Sequence, residues 1–137
     1  MNQPILSDSS ISMTNEEDFF TVVCTSGFEN TPSVRSALMF AALAASVNYK
    51  TILFCIQGAV DVMVKGNIEK NEKPQPDVPT IAQRLTEAME MGVEIQCCSQ
   101  TMANKKITGE DLISGIKVAG AMSLIAIATK AKGTICF

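Results

Sequence analysis

The chain has 137 residues, 47% of them apolar and 18% charged, with a formal net charge of −3. That is the size of one domain with enough apolar material for its own core, and it argues against two domains. Its 11 Lys and Arg are spread along an acidic chain, and Phe19-Phe20 is the single aromatic-rich spot, so a nucleic-acid partner is excluded.

Histidine is absent, which removes Ser-His-Asp and Cys-His nucleophile pairs, the common zinc sites and any imidazole base. Neither a metal nor a cofactor is expected. The five cysteines, Cys24, Cys55, Cys97, Cys98 and Cys136, are odd in number and lack regular disulfide spacing. With no signal peptide at the start, this pattern fits a reducing cytoplasm better than a secreted scaffold. The longest purely apolar run, 37–45, is far short of the roughly 18 to 20 residues of a membrane-spanning helix.

Residues 1–18, rich in Ser, Asn, Glu and Asp, show no periodicity and read as a flexible tail, so the domain is expected over 19–137. From Phe19 onward, short apolar runs alternate with helical segments. The pattern predicts a three-layer α/β/α, doubly wound fold with a mostly parallel five-stranded sheet. The strands are expected at 19–24, 51–56, 93–97, 116–118 and 134–137, each nearly continuous in apolar character as buried parallel strands are.

A first helix is expected from Pro32 or Ser33 to Val47, with Thr31 as N-cap and Pro32 where its missing N–H costs nothing. Its stretch 37–45 is apolar on every side, and 121–128 has the same character. One face of each can cover the sheet; the other needs a second subunit, so the chain should form an oligomer. The stretch 65–79, with three prolines, reads as a long mobile loop. Next, Ile81, Leu85, Ala88 and Met89 make the apolar stripe of an amphipathic helix, opened by a Thr80/Gln83 capping box and closed at Gly92.

Cys98 follows the run Gly92-Val93-Glu94-Ile95-Gln96-Cys97 and opens the polar loop Ser99-Gln100-Thr101. A thiol at the exit of a parallel strand faces the crevice where α/β proteins hold ligands. Backbone N–H groups there, or Lys105 and Lys106, would favour its thiolate, and its side chain should be at least partly accessible. Neighbours in a strand point to opposite faces, so Cys97 should pack between the layers and is the lesser candidate. Cys24, Cys55 and Cys136 are expected in the core, as free cysteines usually are.

The turns Ser26-Gly27 and Gln57-Gly58-Ala59 follow the first two strands and should flank Cys98. Their small residues either let backbone amides approach an anionic sulfur group or simply serve the turns. Ser26, Gly27, Gly58, Ala59, Ser99 and Gln100 are therefore candidate substrate-binding residues. Asp61, Glu110 and Asp111 read as surface or capping carboxylates, with Thr108 to Asp111 fitting a helix N-terminus.

Taken together, the Gly-Val-Glu-Ile-Gln-Cys-Cys-Ser-Gln-Thr-Met segment and Asp111-Leu112-Ile113-Ser114-Gly115-Ile116-Lys117-Val118 resemble the DsrE/DsrF-like family of small sulfur-transfer proteins, over 19–137. The resemblance implies a doubly wound domain, assembled as a homotrimer or a hexamer, that carries sulfur as a persulfide or thiosulfonate on one cysteine. The position matching that carrier is Cys98. Cys97 stands where the family more often has a small non-thiol residue, and Ser99-Gln100-Thr101 replaces a more apolar loop. A small inorganic sulfur donor and a thiol-bearing carrier protein are the implied partners. Two alternatives stay open: a non-catalytic assembly or binding subunit, and a thiol redox protein, which the absence of a CxxC motif weakens.

Overall fold

A computed structural model describes residues 18–137. Five strands form one sheet: β1 (Phe19–Cys24), β2 (Lys50–Cys55), β3 (Glu94–Cys98), β4 (Lys117–Ala119) and β5 (Ala131–Cys136). They lie in the order β4-β3-β2-β1-β5, and every pairing is parallel. The chain steps from β1 to β4 towards one edge and then returns to the far edge for β5. Right-handed crossovers therefore place the helices before β4 on one face and the last helix on the other. The three-layer arrangement expected from the sequence is present. The tail expected over residues 1–18 lies outside the described residues except for Asp18, whose carbonyl accepts the Lys50 N–H at 2.8 Å.

Alternation along the strands divides the sheet. On one face, Val22, Leu53 and Ile95 lie side by side, and beyond them Cys24, Cys55 and Cys97; all six belong to the main core. Helix α1 (Thr31–Ser46) covers this face through Val34, Ala37, Leu38, Ala41 and Ala44. The amphipathic helix, α4 (Ile81–Glu90), adds Ile81, Leu85 and Ala88. Its expected capping box is formed, with Thr80 Oγ1 accepting from Gln83 N–H and Gln83 Oε1 from Thr80 N–H. Gly92, at φ +92°, takes the left-handed turn that follows.

Helix α6 (Ala121–Lys130) packs against β1 and β5 and contains no buried residue, leaving Met122 76% and Ile125 55% exposed. On α1, Phe40, Leu43 and Val47, spaced along one helical side, also face outward. The all-round apolar helices thus keep one flank unpaired.

Several boundaries differ from expectation. Asn30, not Thr31, caps α1: Phe28–Asn30 forms a 3₁₀ turn running straight into the helix, and Asn30 Oδ1 accepts from Ser33 N–H at 3.4 Å. The segment 65–79 is not loop throughout. It holds α3 (Asn67–Asn71), anchored by the buried Ile68, while Glu72 accepts the Ile81 N–H with both carboxylate oxygens at 2.9 Å. These polar ties hold a segment that has too few apolar residues to announce itself. Cys136 is exposed rather than in the core, because β5 is an edge strand with alternating burial.

Candidate functional site

Cys98 is the last residue of β3 and also the N-cap of α5 (Ser99–Lys105). The polar run after it is therefore a helix rather than the expected loop. Because the run is short and polar, nothing in its apolar periodicity signals a helix; the helix is set by its junction with the strand. The side chain of Cys98 lies on the sheet face opposite Cys97, next to Ala119 of β4. It is 6% exposed, so it is covered instead of partly accessible, but it sits near the protein surface at the sheet's end.

Burial alone would raise the Cys98 pKa. The N–H of Thr101, the Thr101 hydroxyl and the N–H of Gln100 outweigh it and hold the thiol below its ordinary value. The first-turn N–H groups of a helix have no partner within the helix, so a sulfur beside them feels their positive field even though Cys98 makes no cap hydrogen bond. Lysines take no part: Lys105 Nζ is paired with Asp61 Oδ2 at 2.9 Å. That bond confirms the surface reading of Asp61. Thr108 and Asp111 form a capping box on the 3₁₀ turn Gly109–Asp111, as their spacing suggested.

Thr101 is the residue that the sequence reading passed over. Its side chain is buried, and its Oγ1 accepts the Gln57 N–H at 3.3 Å while its hydroxyl serves Cys98. The available signal was its position three residues after the strand-ending cysteine, the N3 position of a capped helix. Gln57 belongs to the turn expected beside Cys98. It has φ +55° and ψ −128°, a conformation that a non-glycine residue adopts only under constraint.

The glycine turns meet each other. A Cβ on Gly27 would lie 2.4 Å from Gly58 O, so two backbones touch there. The Gly27 N–H is already taken by the Glu29 carboxylate, at 2.9 and 3.1 Å, and the Ala59 N–H by Ile56 O at 3.1 Å. Both of these amides are engaged within the chain, and the contact between Gly27 and Gly58 is one that only glycine allows. Ser26 O accepts the Cys24 thiol at 3.5 Å. Ser99 and Gln100 are exposed first-turn residues of α5, of which Gln100 contributes its backbone N–H.

Along the face that carries Cys98, β3 also presents Glu94 and Gln96. Gln96 Nε2 donates to Glu94 Oε2 at 2.6 Å, and Lys117 Nζ lies 3.3 Å from Glu94 Oε1. The Gln96 bond and the Lys117 charge hold the Glu94 carboxyl below its usual range. A depression of about 590 Å³ lined by Pro79, Gln83 and Glu87 lies on the outer side of α4 and contains no cysteine. Among the described residues there is no cluster suited to a metal ion, and no helix is long and apolar enough to cross a membrane.

Residues 19–137 match the DsrE/DsrF-like family, and the chain belongs to it. It is 28% identical over 118 residues to the uncharacterized protein MJ0989 of Methanocaldococcus jannaschii, covering 86% of this chain and 98% of that one. Its fold is similar to that of the ychN protein from E. coli, with a TM-score of 0.72 at 20% identity over 88% of this chain and 99% of the other. It is also similar to MTH1491, a protein of unknown function from Methanobacterium thermoautotrophicum, with a TM-score of 0.63 at 16% identity over 89% and 100% of the two chains. Membership of this family points to a role in sulfur relay.

Proposed function

We propose that the protein is a sulfur carrier that holds sulfur on Cys98 and passes it to a partner thiol. The observation that supports this most is the position of Cys98 at the end of β3 and the N-terminus of α5, where the backbone of Thr101 and Gln100 and the Thr101 hydroxyl hold its thiol below the ordinary value. Such a setting favours the thiolate, which is the nucleophile in exchange between sulfurs. The Cys98 thiolate attacks a sulfane sulfur of an inorganic donor, and the remainder of the donor leaves with the electron pair of the broken S–S bond. The product is a persulfide when polysulfide or thiosulfate is the donor, and a thiosulfonate when tetrathionate is, with thiosulfate leaving. A thiolate on the acceptor protein then attacks the outer sulfur, and Cys98 departs as thiolate. With 6% exposure, Cys98 meets the donor through local opening of the segments that cover it.

The exposed apolar flanks of α1 and α6 support assembly into a homo-oligomer; a trimer or hexamer follows the family resemblance, and a cytoplasmic location the odd, irregularly spaced cysteines. The flanks equally suit a non-catalytic assembly subunit, in which Cys98 would be dispensable. Mass spectrometry after mixing with polysulfide, thiosulfate or tetrathionate separates the two. The parent protein should gain about 32 Da for each sulfur held as a persulfide. Cys98→Ser should abolish the gain, whereas Cys97→Ser, altering a residue of the opposite face, should keep most of it. An unchanged gain in the Cys98→Ser protein would overturn the assignment of Cys98. No gain in the parent with any donor would favour the assembly subunit.

A further inference from the structure

Three cysteines stand in one row across the C-terminal ends of three adjacent strands. Cys24, Cys55 and Cys97 are register partners on β1, β2 and β3, and all three side chains lie on the face covered by α1 and α4. Their exposures are 3%, 0% and 0%. Sulfur transfer through Cys98, on the opposite face, uses none of them.

Adjacent strands lie about 4.8 Å apart. A disulfide spans Cα separations of roughly 4.4 to 6.8 Å with both Cβ atoms on one side. Register partners on neighbouring parallel strands meet both conditions, so Cys55 has a geometrically suitable neighbour on either flank. The thiols decide between them. Cys24 Sγ is turned to the loop, donating to Ser26 O at 3.5 Å. Cys97, the register partner on the other side, has no such bond to a loop carbonyl and is left as the partner for Cys55.

We propose that Cys55 and Cys97 form an oxidisable dithiol, which a hydroperoxide converts to a disulfide joining β2 to β3 without participation of Cys98. One thiol attacks a peroxide oxygen, breaking the O–O bond and giving a sulfenic acid and water. The other thiol attacks the sulfenic sulfur, forming the S–S bond and releasing a second water. Two electrons pass from the two sulfurs to the peroxide, and both thiol protons end in water. Interaction with Cys97 and burial keep Cys55 protonated well above the ordinary thiol range. The reaction is therefore slower than oxidation of Cys98, and it uses an uncharged oxidant small enough to enter the sheet's edge.

The test treats the full chain with hydrogen peroxide under native conditions, then alkylates in denaturant and maps tryptic peptides. Cleavage after Lys50, Lys65, Arg84 and Lys105 puts Cys55 in one peptide and Cys97 with Cys98 in another. The map is run in parallel on the Cys98→Ser protein, where a link between these peptides involves Cys97 alone. The expected result is that link in both proteins, with a mass loss of about 2 Da before alkylation. It should be reversed by dithiothreitol and persist in Cys24→Ala. The oxidised Cys98→Ser protein should also melt several degrees higher than its reduced form. Absence of the link in Cys98→Ser, or a link from Cys55 to Cys24, overturns the proposal. The parent's map keeps the test open if a variant fails to fold: fragment ions that place the bond on Cys98 overturn it too. None of these outcomes depends on whether Cys98 accepts sulfur.

Discussion

The backbone N–H of Gln57 donates to Thr101 Oγ1 at 3.3 Å, joining the turn after β2 to the helix that caps Cys98. Held there, Thr101 keeps its hydroxyl beside Cys98, where it helps to hold the thiol below its ordinary pKa. Gln57 itself holds a left-handed φ of +55° at this junction. Cys98 is thus tuned from a neighbouring strand's turn as well as from its own helix.

Thr101→Val should therefore slow alkylation of Cys98 by iodoacetamide at pH 7. A hydrogen bond to a charged group contributes roughly 1.5 to 3 kcal/mol, so about a tenfold loss or more in rate is expected. Thr101→Ser keeps the hydroxyl and should stay close to the parent. Equal rates in all three proteins would remove Thr101 from the site.

The same contacts fix the sign of a pH effect. Cys98 has a folded pKa below its unfolded one, so the thiolate stabilises the fold. This contribution is complete above the unfolded thiol value and is lost as pH falls through the folded value. The alkylation rate of Cys98, followed by peptide mass, should rise to its plateau at lower pH than that of a cysteine in the denatured chain. A midpoint equal to that of the denatured chain, or above it, would contradict the geometry of the cap.

The sheet and its layers were legible because buried parallel strands and the α4 stripe write their burial into the sequence. The opposed placement of Cys97 and Cys98 followed from strand alternation. What escaped was set by contacts between distant segments. Thr101 acquires its role from Gln57, and the helix start at Ser99 depends on the strand ending at Cys98. The Gly27 amide is also engaged by Glu29, two residues on, whose carboxylate folds back onto that N–H. The burial of Cys98 likewise depends on how the chain closes over the sheet's end, which no local pattern reports.

The unpaired flanks of α1 and α6 lead to a prediction about assembly. Met122 and Ile125 lie on one side of α6 and are among the most exposed apolar side chains of the described residues. If a second copy covers them, Met122→Glu with Ile125→Glu should shift light-scattering mass at micromolar concentration from oligomer towards monomer while circular dichroism stays native. A parent protein that is already a monodisperse monomer would rule out this interface.

Gly27 separates a packing role from an anion-binding one. A Cβ there would meet Gly58 O at 2.4 Å and Gly58 C at 2.7 Å, and both are backbone atoms that cannot rotate away. Gly27→Ala must push two turns apart, at a cost of about 1 to 3 kcal/mol as for other overpacked sites. Thermal unfolding should record a drop of several degrees. Because the Gly27 N–H is committed to Glu29, sulfur loading of the protein that remains folded should change little. If loading collapses while the melting temperature holds, the turn binds the donor after all, and glycine is needed there for the ligand rather than for its neighbour Gly58.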